Sequence, residues 1–120
     1  MHFSAIFLPL LFGAGHVCAI QIATWNVRYD SKTDAIPVAE SKVKTQLQGE
    51  RGSEQPWSTR RIGIANYLAT HKVSVLGVQE ALIRQVKDLQ ELFGADWAWV
   101  GEGRDDGKEK GEYCAIFYNK

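Results

Sequence analysis

Charge imbalance is missing from this 120-residue sequence: 14 lysines and arginines stand against 14 aspartates and glutamates. Without a basic field the chain does not advertise itself to nucleic acid as a whole, and such a partner would need a local patch; an acidic tail is absent too. Length is also short, enough for one small domain and too little for two with cores of their own. Cysteine is scarce, with Cys18 and Cys114 alone. The longest apolar run, Phe3 to Phe12, is too short to span a bilayer, so no transmembrane segment is expected. There is no internal repeat and no low-complexity tract. What remains is ordinary globular composition, 45% hydrophobic and 23% charged.

The apolar run has a use of its own. It is followed by Gly13, Gly15 and the small-residue pattern Val17-Cys18-Ala19, which reads as a secretory signal peptide over residues 1–19 with a mature, secreted chain from Ile20. Its amino-terminal flank has His2 and no lysine or arginine, and the alternative is a buried amino-terminal strand or helix. Cleavage would remove Cys18 and leave Cys114 single, either a small buried hydrophobe or one half of a pair whose partner lies outside these residues.

The organising stretch is Val73-Ser74-Val75-Leu76-Gly77-Val78-Gln79-Glu80, a valine-rich run that ends in a carboxylate. It reads as an inner strand buried on both faces. An unpaired buried carboxylate is costly, so Glu80 must emerge where the strand leaves the core, near a cation or strong donors. Ligands of open α/β sheets collect beyond the carboxyl ends of strands; the plainer reading is a glutamate opening the following helix. Residues 20 to 26 form a first strand ending at Asn26. The polar segment 29–56 is a long loop, with a short helix expected over Val38 to Leu47. Ser58 caps a helix over 59–70 carrying Arg61, Ile64, Ala65 and Leu68 on one face. A second helix starts at Ala81, where Leu82, Val86, Leu89 and Phe93 make a core stripe stopped by Gly94. Strands over 96–100 and 113–118 flank a glycine-punctuated loop, and the α/β sheet keeps a naked edge, as part of a larger sheet would.

Strands joined through a helix are parallel and connected right-handedly, which brings Asn26 and Glu80 to the same sheet edge. An amide beside a carboxylate suits Mg²⁺ and phosphate, because Mg²⁺ takes one or two protein carboxylates and fills its shell with water and phosphate. Taken singly, an asparagine after a strand is equally a turn former.

Three segments in order, Thr24-Trp25-Asn26-Val27-Arg28, Trp57-Ser58-Thr59-Arg60 and Gly77-Val78-Gln79-Glu80, resemble the N-terminal half of the endonuclease/exonuclease/phosphatase family, with the DNase I-like fold. Gly103-Arg104-Asp105-Asp106-Gly107, Gly111-Glu112-Tyr113 and Ile116-Phe117-Tyr118 resemble its secreted, mainly fungal and bacterial branch. The resemblance implies that residues 20–120 are the N-terminal part of such a domain. It implies an α/β fold (α+β), a partial four-layer sandwich of two sheets, hydrolysing phosphate esters with Mg²⁺ or Mn²⁺. Glu80 then matches the family's metal-binding glutamate, and Asn26 the asparagine beside metal and scissile phosphate. Arg28 and Arg104 are candidates for phosphate contact; Trp57 and Arg60 are expected to pack and pair structurally. Nucleic acid, lipid headgroup and small phosphate ester are not distinguished as substrate, and no oligomer is implied.

The family's later Asp-x-Asn, further aspartate and Asp-His are not found in this sequence, and His71 precedes the strand at the end away from Glu80. Two readings stand: a truncated portion of a secreted metal-dependent phosphohydrolase, inactive by itself; and a fragment made as such, which either serves as a secreted binding module without catalysis or does not fold.

Overall fold

A computed structural model describes residues 20–31, 35–40 and 54–120. The expected signal segment 1–19 and positions 41–47 of the expected helix over 38–47 lie outside them, and Val38–Glu40 form one 3-10 turn. The elements in chain order are β1 (Gln21–Asn26), α1 (Trp57–His71), β2 (Val73–Ala81), α2 (Ile83–Phe93), β3 (Trp97–Val100) and β4 (Tyr113–Asn119). They form one mixed sheet in the order β1-β2-β4-β3, with β1 parallel to β2, and β4 antiparallel to both β2 and β3.

The pleat sorts side chains onto two faces. Ala23, Leu76, Phe117 and Trp99 are register neighbours across the sheet and turn toward the core shared with the helices. Ile64 and Leu68 of α1, and Val86 and Leu89 of α2, close that core from one side. Phe93 packs edge-on against Phe117, ring centroids 5.2 Å apart. The opposite face carries the rows Ile22-Val75-Tyr118-Ala98 and Thr24-Gly77-Ile116-Val100. Among the described residues nothing covers it, and Ile22 is 73% exposed. The strand expected to be buried on both faces is thus fully covered on one: Val73, Leu76, Val78 and Ala81 are buried, and Val75, Gly77 and Gln79 half-buried. The described residues supply a sheet and one helical layer of the expected sandwich.

Two helix starts differ from expectation. Ser58 is not the cap of α1: Pro56 holds that place, its carbonyl accepting from the N–H groups of Thr59 and Arg60, both at 3.0 Å. The helix begins early because Trp57 is fully buried and its indole N–H donates to Asp88 of α2 at 2.6 Å, so a tertiary contact outweighs the local serine signal. Likewise α2 does not start at Ala81. β2 runs through that residue, and Leu82 is the cap. Leu82 has no side-chain oxygen to offer; instead Gln85 in the first turn accepts from the Leu82 N–H at 3.0 Å.

Candidate active site

The parallel β1–β2 pair sets Asn26 opposite Gln79, the residue before Glu80. The pairing of β2 with β4 then slips: Val78 pairs with Ala115 and Ala81 with Tyr113, so Gln79 and Glu80 together oppose Cys114. Such a bulge bends the strand and re-aims a side chain. Glu80 takes a left-handed backbone, φ 58°, unusual for a side-chain-bearing residue. It is therefore a bulge residue inside a strand, not the opening acid of a helix.

The bulge presents the Glu80 carboxylate to two neutral donors. Asn26 Nδ2 donates to Oε1 at 2.6 Å, and the Tyr29 backbone N–H reaches Oε2 at 3.5 Å. The same asparagine accepts the Arg28 N–H on Oδ1 at 2.9 Å, so its amide bridges the strand end and the carboxylate. Beside them Gln79 Nε2 donates to Thr24 Oγ1 at 3.0 Å, tying the two strands just inside the site. The Asn26 hydrogen bond foremost, then the Tyr29 N–H, hold the Glu80 carboxyl below its ordinary value, with Arg28 adding a smaller attraction and burial opposing them.

A carboxyl whose folded value is depressed contributes stability that is complete above the ordinary glutamate range and is lost as pH falls through the lower folded value. Carboxyl-carbon NMR should find Glu80 titrating below a reference glutamate, and Asn26→Ala should move it back up, because that change removes the largest cause.

Of the other expected site residues, Arg104 shares a cleft with this pair and Arg28 does not line it. The cleft, about 390 Å³, is lined by Asn26, Gln79, Glu80, Glu102, Arg104, Glu112, Tyr113 and Cys114. Arg104 ion-pairs with Glu112 at 3.0 Å and Asp105 at 3.5 Å while remaining 68% exposed. Exposed pairs of this kind are worth about 0–1 kcal/mol, so a phosphate could draw the guanidinium away. The loop carrying it is folded back tightly: a side chain at Gly103 would collide with the Lys110 backbone, and at Gly111 (φ 81°) with the Asp105 carboxylate. Arg28 lies beside Glu54, 3.6 Å away, and also has a left-handed backbone, φ 60°. Cys114 is an exposed free thiol on the cleft wall, not a buried hydrophobe. His71 ends α1 at the far end of β2 and stacks on Tyr67, ring centroids 4.0 Å apart.

Sequence reasoning missed the groups that grip the loop after β1. Arg60 donates to the carbonyls of Val27 and Arg28. Arg84 pairs with the buried Asp30, and Gln85 bonds both Arg28 and Asp30. No motif spacing announces Arg84 and Gln85, because their partners, the Asp30 carboxylate and backbone atoms of the same loop, lie more than fifty residues away in sequence; Arg60 was expected to pair structurally, and it does so here.

Each oxygen of an ionised carboxylate has about two acceptor positions, and the protein donors named above occupy one on each Glu80 oxygen. The remaining positions are hard oxygen donors, suited to Mg²⁺ or Mn²⁺ rather than a soft metal. Among the described residues no group of three or more histidine, cysteine, aspartate or glutamate side chains is placed to enclose a metal. A cation here would therefore keep water or phosphate in most of its shell, the usual habit of Mg²⁺.

Neither a protein-family model nor a curated protein matches the sequence. Solved structures do. An endonuclease/exonuclease/phosphatase protein from Bacteroides vulgatus is similar over 84% of this chain, at 30% identity and a TM-score of 0.63. The chain has the fold of part of an endonuclease/exonuclease/phosphatase domain. A family protein from Bacteroides thetaiotaomicron is similar over 84%, at 30% identity and 0.62, and a mannosyl-6-phosphatase from the same organism over 85%, at 29% and 0.63. The chain spans about a third of the length of these solved structures: 31%, 31% and 32%. Among the described residues no helix is long and apolar enough to cross a membrane.

Proposed function

We propose that this chain supplies the carboxylate and amide part of a divalent-metal-dependent phosphoric ester hydrolase site, in a protein exported by means of residues 1–19. The observation that carries the reading is the 2.6 Å contact between Asn26 and Glu80 at the carboxyl ends of parallel strands, the place where α/β sheets bind ligands. The solved neighbours support it, one of them being named a mannosyl-6-phosphatase.

Glu80 is the cation-holding group, kept ionised and oriented by Asn26 and the Tyr29 N–H. A bound Mg²⁺ or Mn²⁺ would supply polarisation of the phosphoryl oxygens and neutralisation of the charge that grows during in-line attack by water. Asn26 stands where its amide can meet both the carboxylate and a phosphate oxygen. Arg104, across the cleft, offers a guanidinium fork to the phosphate, and Arg28 can reach a more distal one. Glu102 and Glu112 on the same wall disfavour bare anionic surfaces and suit an ester whose remaining part is neutral and hydroxyl-bearing.

A general acid or base within reach of Glu80 is not provided by His71, which sits at the other end of the sheet. The 120-residue chain is accordingly expected to leave bis(p-nitrophenyl) phosphate uncleaved above background with Mg²⁺ or Mn²⁺. Metal-dependent turnover that disappears in Glu80→Ala would show instead that these residues complete a site.

A further inference from the structure

Among residues bearing a side chain, left-handed backbone occurs at three described positions: Lys72 at the end of α1, and Arg28 and Glu80. The last two meet across the candidate site through the Tyr29 N–H. Such a residue persists only where its surroundings over-determine it. The surroundings are specific. A trans peptide holds its C=O and N–H in one plane and pointing in opposite directions, so whatever holds the Arg28 carbonyl also aims the Tyr29 N–H.

Gln85 holds that carbonyl. Its side chain is fully buried, and its Nε2 donates to Arg28 O at 3.0 Å. Its Oε1 accepts from Asp30 N at 3.3 Å and from Leu82 N at 3.0 Å. One amide therefore ties two segments: Arg28 to Asp30, which delivers the donor, and Leu82, two residues beyond the acceptor Glu80. Arg60 Nη1 reaches the same carbonyl at 3.3 Å from α1.

We propose that Gln85 is a positioning residue for this site: by fixing the Arg28–Tyr29 peptide against the start of α2, it sets the Tyr29 N–H and the Glu80 carboxylate at the spacing a cation requires. The positioning is a property of the metal-free protein; its consequence for metal rests on the function proposed above.

Gln85→Glu separates this role from helix capping, since a carboxylate oxygen still accepts from Leu82 and Asp30 while the Arg28 carbonyl loses its 3.0 Å donor and keeps the longer contact from Arg60. Two quantities are read in the full chain: the metal-free amide proton shift of Tyr29, and the Mn²⁺ dissociation constant by water-proton relaxation. The expected result is an upfield move of the Tyr29 proton with the Leu76 and Val78 amides unmoved, together with roughly 10-fold or greater weakening of Mn²⁺ binding, the usual effect of losing an outer support. Gln85→Met, which adds no buried charge, should give the same two changes if Gln85→Glu is too unstable to measure. A Tyr29 resonance unchanged in both variants overturns the proposal. If the unaltered protein binds no Mn²⁺, the metal reading falls, and the Tyr29 shift alone still decides the role of Gln85.

Discussion

Glu80→Gln is expected to weaken Mn²⁺ or Mg²⁺ binding by more than about 100-fold, beyond the 10–100-fold that follows from disturbing groups behind a ligand. The exchange is close to isosteric. Its amide oxygen can still accept from Asn26, while the charge and the acceptor facing Tyr29 are both lost. The side chain lies at a solvent-facing bulge rather than in the core, so the unfolding midpoint should hardly move. Titration calorimetry and a urea melt on the same sample separate the two: binding lost at unchanged stability is the expected pair of results.

Arg61→Ala should do the reverse, lowering stability by about 3–5 kcal/mol, the range for removing one partner of a buried ion pair. Its side chain is fully buried; Nη1 pairs with Asp88 at 2.8 Å and Nη2 donates to the carbonyls of Ile36 and Pro37 at 2.7 and 3.0 Å. Asp88 would keep the Trp57 indole and Arg84, which favours the lower part of the range, whereas the two carbonyls would lose a charged donor. Against a typical total of about 5–15 kcal/mol this threatens the fold itself. Arg104→Ala, removing two exposed pairs, should cost about 1 kcal/mol or less in the same urea melts.

The contrast between Arg61 and Arg104 bears on what a sequence discloses. Arg61 was legible only as one member of a helical stripe, because neither its burial nor its carbonyl partners leave a local trace. The valine run of β2 and the Leu82-to-Phe93 stripe were legible because periodicity records which face is buried. The parallel pairing of β1 with β2, and with it the meeting of Asn26 and Glu80, came from the helix expected between those two strands. The bulge at Gln79–Glu80 was not, since bulges arise from pairing with β4, more than thirty residues later. Gln85 escaped for a similar reason: its capping signature needs a serine or threonine at Leu82, and its other partners are backbone atoms of a distant loop. Ser58 misled because a local cap signal was outweighed by the burial of Trp57. The roles proposed for Arg28 and Arg104 came from resemblance; of the two, Arg104 stands in the Glu80 cleft.

The central claim is that the end of β1 and the bulge of β2 jointly hold a hard divalent cation. Paramagnetic broadening of the ¹⁵N-labelled chain by substoichiometric Mn²⁺ tests it most directly. The account predicts that the amides of Asn26, Tyr29 and Glu80 broaden first and recover on adding excess Mg²⁺; broadening centred on the acidic 102–112 loop, with those three amides untouched, would contradict it.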